Sequence, residues 1–187
     1  VPSHLALLRG INVGGRNRLA MEDLAGLMRD LGHTDVATYI QSGNVLFTPA
    51  VGARGTDALA GAIAGALAER LSVSATVVVL TAQELEEVIS ANPFPGVGDP
   101  RHLHAVIHQE PLPSERMADV AGAEELSAAR GGDDRALIVG RALYIHTPDG
   151  FGRSDLAARL TRPSGPGGAG TARNWATVTK LMALLGP

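Results

Sequence analysis

Short apolar runs alternate along the chain with longer stretches of helical periodicity. His4 to Leu8 predicts a short buried strand. Met21, Leu24, Leu27, Met28 and Leu31 fall on one side of a helix at about 3.6 residues per turn, with Glu22, Asp23, Arg29 and Asp30 opposite. Gly32 stands where a helix C-terminus favours a left-handed residue. Val36 to Ile40 and Val45 to Phe47 predict two strands, and Gln41-Ser42-Gly43-Asn44 between them has the composition of a hairpin turn. Pro49 to Gly55 is a loop, and Thr56 is the expected N-cap of a helix with Asp57 in its first turn. Leu59, Ile63, Ala66 and Leu67 form that helix's apolar stripe, and its alanines and glycines suit close packing on a sheet. Ala75 to Leu80 is a β-branched strand. The order β-α-β-β-α-β is the split arrangement of ferredoxin-like folds, a four-stranded antiparallel sheet with two helices on one face.

The second half repeats much of this rhythm. Thr81-Ala82-Gln83-Glu84 resembles a capping box and opens a helix through about Ser90. Asn92-Pro93-Phe94-Pro95-Gly96 ends it. His102 to His108 predicts a strand, Pro113 to Gly122 a helix, and Gly131-Gly132-Asp133-Asp134 a turn. Ala136 to Val139 and Ala142 to His146 predict strands joined through Gly140-Arg141, followed by helical material from Ser154 to Leu160. Arg162 to Gly170, rich in glycine and proline, reads as a mobile loop. A last helix is expected from about Thr171 to Leu185, with Trp175, Val178, Met182 and Leu185 inward and Arg173, Thr177 and Lys180 on the far side. The fold class is therefore α+β: two tandem ferredoxin-like units, residues 1–80 and residues 81–187, the second degenerate and closed by a C-terminal helix. They form either two bodies or one globule.

Composition narrows the function classes. At 187 residues and 45% hydrophobic, the chain can build a substantial core, and with 3% aromatics that core must be aliphatic. A net charge of -3 argues against wholesale coating of nucleic acid and leaves room for a local basic patch. There is no cysteine, which removes disulfides, thiolate catalysis and Cys-zinc sites and fits a cytoplasmic location. No apolar run approaches the roughly 18 residues of a membrane span. No charged-then-apolar leader opens the sequence, so no membrane association is expected.

The densest candidate chemistry is the stretch from Arg9 to Asn17. Gly10, Gly14 and Gly15 permit positive φ and close approach of a ligand to backbone N–H groups. Arg9 and Arg16 offer charge-assisted contacts to phosphate or carboxylate, and Asn12 and Asn17 offer amides. It has neither the Walker nor the dinucleotide-binding glycine spacing. A plain structural loop explains the same residues. Gln41 and Ser42 are less needed by their turn than Gly43 and Asn44 and are further ligand-contact candidates. Arg173 and Asn174, at the expected helix start, face an anion or, for Asn174, cap the helix itself. His102, His104 and His108 share one strand face, which reads as exposed; two of them could bind one metal, but with no third ligand near them no metal is expected.

Several strings together resemble one family. They are Leu8-Arg9-Gly10-Ile11-Asn12-Val13-Gly14-Gly15, Tyr39-Ile40-Gln41-Ser42-Gly43-Asn44-Val45, Asn92-Pro93-Phe94, and Thr171-Ala172-Arg173-Asn174-Trp175-Ala176-Thr177-Val178. Tyr144 through Leu156 is similar to a further stretch, with one extra residue before Pro148. The resemblance is to the bacterial family called domain of unknown function 1697. It implies tandem α+β, ferredoxin-like units and brings no established activity or cofactor. Where the family pattern has lysine, this chain has Arg16 and Arg153, which keep the charge and lose a titrating amine.

The expected function is binding of a phosphate-bearing ligand, a nucleotide or a nucleic-acid segment. The cleft would be formed by loop 9–17, rimmed by Arg9, Asn12 and Arg16, and the start of the last helix, where Arg173 stands, with Gln41, Ser42 and Ser154 converging. Only Tyr39, Phe47 and Tyr144 are available as base-stacking aromatics, which favours a nucleotide-sized anion over sequence-specific RNA. One alternative is an enzyme of phosphoryl or acyl transfer using Ser42 or Ser154. Another is a scaffold for a protein partner.

Overall fold

The computed structural model describes residues 1–186 and contains two four-stranded antiparallel sheets and six α-helices. Two compact units divide the chain: Val1–Glu86 together with the segment from Lys180 onward, and Glu87–Thr179.

The first unit runs β1 (His4–Arg9), α1 (Met21–Asp30), β2 (Thr34–Tyr39), β3 (Asn44–Thr48), α2 (Gly55–Leu71) and β4 (Thr76–Thr81). Its strands lie in the order β2-β3-β1-β4. β1 is central, pairing Ala6 with Val45 of β3 and with Val79 of β4. Alternation along β1 sends Ala6 and Leu8 into a core with Leu24, Leu27 and Met28 of α1 and Leu59, Ile63 and Leu67 of α2. Leu5, Leu7 and Leu80, on the other face, are also fully buried, so the strands read as continuous apolar runs. Gly32 follows α1 at φ +86°, the left-handed exit its sequence announces.

Two local expectations for α2 change. Its first residue is Gly55, so Thr56 lies inside the helix and makes no cap. Gly61 and Gly65 are exposed, with nothing within 4 Å of where a Cβ would sit; the sheet contact is made by Ala60, Ala66 and the larger apolar residues instead.

The next helix, α3 (Ala82–Ser90), is opened by the capping box: Glu84 N–H donates to Thr81 Oγ1 (3.1 Å) and Thr81 N–H to Glu84 Oε2 (2.9 Å). The chain continues with β5 (Leu103–Ile107), α4 (Glu115–Ala128), β6 (Arg135–Val139), β7 (Ala142–His146), a 3₁₀ turn at Phe151–Arg153, α5 (Asp155–Thr161), β8 (Thr171–Asn174) and α6 (Trp175–Leu184), whose last residues, from Lys180, belong to the first unit. The order β6-β7-β5-β8 repeats that of the first sheet. Val106, Ile138, Leu143 and Ile145 meet Val120 and Ala123 of α4 and Leu156 and Leu160 of α5 in one core.

Here the structure corrects three expectations. Thr171–Asn174 is a strand rather than the first turn of a helix, because its backbone pairs with β5, Ala105 opposite Arg173. Arg173 and Thr177 are buried rather than on an outer side, and Leu181 takes the fully buried position expected of Met182. The face bearing His104, Val106 and His108 is covered by α4 and α5, so it is a core face. Residues 162–170 form no helix or strand, as their composition predicts, and run through hydrogen-bonded turns: Gly165 N–H donates to Arg162 O and Gly167 N–H to Leu160 O, both at 2.8 Å. A Cβ on Gly165 would lie 2.5 Å from Leu160 O, so this turn closes against the end of α5 only through glycine.

Candidate functional site

The stretch after β1 folds as a miniature hairpin. Gly14 and Gly15 have φ of +58° and +76°, and Arg16 N–H donates to Val13 O at 3.1 Å, the geometry of a tight two-residue turn. Val13 bridges Arg16, and Asn12 N–H donates to Asn17 O at 3.0 Å. Asn12 and Asn17 are themselves left-handed (φ +54° and +48°), a conformation their side chains tolerate.

Those two asparagines act as backbone. Asn12 Nδ2 donates to Leu19 O and Asn12 Oδ1 accepts from Leu19 N–H, both at 2.9 Å. Asn12 Nδ2 also reaches Gln41 O at 3.3 Å, joining the hairpin to the β2–β3 turn. Asn17 Nδ2 donates to Gly10 O and Ser74 O, both at 2.9 Å, joining it to the approach to β4. Ile11 is buried beneath. The loop is thus held on three sides by side-chain amides, and its exposed tip carries Val13, Gly14, Gly15 and Arg16.

Arg16 and Arg18 are exposed and form no ion pair among the described residues. A concavity of ≈ 420 Å³ lies beside them, lined by Asn12, Gly15, Arg18, Leu19 and Ala20. Ala20 precedes α1 without a side-chain cap, and Glu22 and Asp23 stand in the first turn of that helix. Arg18 was absent from the expected contacts; its signal in the sequence is only a second arginine two positions after Arg16.

In the adjoining turn, Gln41 and Ser42 are exposed while Gly43 and Asn44 are buried. Asn44 Nδ2 donates to Tyr39 O and to Ser42 Oγ, each at 2.9 Å, so it serves the turn. Ile40 holds a left-handed φ of +51° although β-branched and exposed.

Ser154, Arg173 and Asn174 belong to the second unit. Ser154 Oγ donates to Asp134 Oδ2 at 2.6 Å and accepts from Ala157 N–H at 2.8 Å, which makes it the N-cap of α5. Asn174 Oδ1 accepts from Thr177 N–H at 2.8 Å and caps α6. Arg173 is buried on β8, donates to Ala172 O at 2.8 Å, and has its pKa lowered to about 10 by burial. Phe47 and Tyr144 are completely buried and offer no stacking surface. Tyr144 Oη donates to Val88 O at 2.6 Å, and burial raises its pKa to about 12. Among the described residues no group of three metal-ligating side chains occurs, and no helix is long and apolar enough to cross a membrane.

The model of a family described as protein of unknown function, DUF1697, matches residues 1–144. The chain belongs to this family. The DUF1697 match takes in the hairpin, the β2–β3 turn and Asn92-Pro93-Phe94; the strings after Tyr144, including Thr171 to Val178, lie beyond it. A conserved bacterial protein from Streptococcus pneumoniae has a similar solved structure, with a TM-score of 0.72 and 20% identity over 99% of each chain. At that identity the likeness is one of fold. No match is found among curated proteins.

Proposed function

We propose that this DUF1697 chain binds a phosphate-bearing ligand, a nucleotide or a segment of nucleic acid, on the hairpin of its first unit. The supporting observation is a tip fixed by the Asn12 and Asn17 amides that presents Arg16 and Arg18 without ion-pair partners, beside a concavity at the uncapped start of α1. A tip already ordered by the asparagine amides removes the loop-ordering part of the binding cost, and guanidinium groups match phosphate oxygens in pairs. The two sheets are read as ferredoxin-like units on the strength of their common strand order. A cytoplasmic location is the reading that the cysteine-free composition favours.

The enzyme alternative draws less support. The Ser154 hydroxyl sits against a carboxylate, but it is nearly buried and its bonds to Asp134 and Ala157 N–H engage it in capping α5.

Isothermal titration with ATP and with a short single-stranded oligonucleotide tests the reading. Arg16→Ala with Arg18→Ala should weaken the bound ligand at least tenfold. If the oligonucleotide is the ligand, the double substitution should also flatten the salt dependence by roughly two phosphate contacts. Equal affinity in the double variant, or no binding of either probe, rejects the proposal.

A further inference from the structure

Within the second unit, two concavities run into one another. One, of ≈ 450 Å³, is walled by Pro111, Leu112, Pro113, Pro163 and Pro166. The other, also ≈ 450 Å³, is lined by Arg116, Arg159 and Arg162 together with Asp119, Leu126 and Leu160. They share Arg116, Ser164, Gly165 and Pro166, so they form a single groove with an apolar lobe and a cationic lobe.

Charge is distributed unevenly along it. In the cationic lobe Arg116 is bridged to Asp119 at 3.1 Å, while Arg159 and Arg162 form no ion pair among the described residues. Apart from the shared Arg116, the apolar lobe carries no arginine or lysine. An anionic ligand is therefore held in one direction, charge toward Arg159 and Arg162 and apolar body toward the prolines. The shared wall is a tight hydrogen-bonded turn. Gly165 N–H bonds Arg162 O and Gly167 N–H bonds Leu160 O, and a Cβ on Gly165 or Gly168 would strike backbone at 2.5 Å or 2.2 Å. The backbone at Arg162, which carries one guanidinium, is thus held by this turn against the end of α5.

We propose that this groove binds a nucleoside phosphate, its base between the proline walls and its phosphates on Arg159 and Arg162. Flat rings pack well on proline rings, and guanidinium groups match phosphate oxygens in pairs. Inorganic phosphate would leave the apolar lobe idle, and a nucleoside alone would leave the arginines idle.

The test uses the full chain carrying Arg16→Ala and Arg18→Ala, so that the hairpin proposed above does not contribute. Anisotropy of N-methylanthraniloyl-ADP is followed on titration with this protein. Saturable binding is expected, with ADP displacing the probe at least tenfold better than either adenosine or inorganic pyrophosphate. Adding Arg159→Ala and Arg162→Ala should weaken binding at least tenfold, and Arg162→Glu alone, at an exposed position, should weaken it further than Arg162→Ala alone. No binding in the Arg16/Arg18 background, affinity unchanged by the Arg159 and Arg162 substitutions, or pyrophosphate matching ADP would overturn the assignment. Loss of ATP binding caused only by Arg16→Ala and Arg18→Ala bears on the hairpin and leaves this measurement independent.

Discussion

Asn12 and Leu19 bond to each other twice, side-chain amide to backbone amide, with both hydrogen bonds at 2.9 Å. The asparagine side chain takes the place of a strand neighbour and closes the hairpin at its base. Its backbone is also left-handed, at φ +54°. Two separable losses follow. Asn12→Gly removes the bonds and keeps the backbone relaxed, costing about 1–2 kcal/mol. Asn12→Ala removes the bonds and adds the strain of a left-handed alanine, for a total of about 2–4 kcal/mol. Denaturant titration of the three proteins should rank them wild type, Asn12→Gly, Asn12→Ala; equal stability of the glycine and alanine variants would remove the backbone part of the account.

Gly43 supports the same end of the first sheet from below. A Cβ there would sit 2.7 Å from Ile11 Cδ1 and 2.8 Å from Leu8 Cβ, at a φ of +76°. Leu8 and Ile11 are themselves buried, so neither can withdraw freely. Gly43→Ala should cost about 2–4 kcal/mol, the sum of overpacking and backbone strain. It should also speed hydrogen exchange at the Leu8 amide, which donates to Gly43 O at 2.8 Å. A loss below about 1 kcal/mol would show that the hairpin moves aside at little cost.

Features set by neighbours in the chain were legible in advance. The Thr81–Glu84 capping box, the Gly32 exit and the stripe Leu59, Ile63, Ala66 and Leu67 depend on residues a few positions apart, and all appear as expected. Features set by distant pairing were hidden. Thr171–Asn174 carries too little apolar signal to announce a strand; only its register against Leu103–Ile107 makes it one. The strand is shorter than the His102–His108 run that the sequence suggests, so only His104 of the three histidines lies within β5, and covering its face requires α4 and α5, which no spacing within the strand reveals. Asn12 and Asn17 were legible as loop residues with free amides. Their commitment to Leu19, Gln41, Gly10 and Ser74 depends on segments up to 57 positions away.

His104 makes the second unit sensitive to mild acid. Its ring stacks on Phe151 with centroids 4.0 Å apart, and its buried Nδ1 has no hydrogen-bond partner. Burial lowers its pKa to about 4, so the folded state holds a neutral ring. The unfolded chain takes up the proton near pH 6.5 and the folded chain near 4. The stabilising contribution is therefore complete above pH 6.5 and is lost as pH falls toward 4. After allowance for the ring's partial solvent contact the loss is on the order of 1–2 kcal/mol. Urea unfolding at pH 7 and pH 5 should show it, and His104→Phe should flatten the difference, although His4 and His33, also lowered by burial, leave a residual slope. An unchanged slope in the variant would assign the acid sensitivity elsewhere.

Helix α2 carries a reserve of stability in Gly61 and Gly65. Both are in the helix interior, both are exposed, and neither has an atom within 4 Å of the position a Cβ methyl would take. Glycine there costs backbone entropy on folding and returns no packing. Alanine keeps the helical conformation and touches nothing, so Gly61→Ala and Gly65→Ala should each stabilise by about 0.5–1 kcal/mol. The sites are one turn apart on the solvent side, so the double variant should gain more than either single one. Thermal unfolding should rise by roughly 2–4 °C for each kcal/mol gained. Gly43→Ala is the contrast, because the same added methyl group there meets Leu8 and Ile11. A neutral or destabilising result at both Gly61 and Gly65 would mean that this face of α2 is covered in solution, since an added methyl group finds no obstacle within the chain itself.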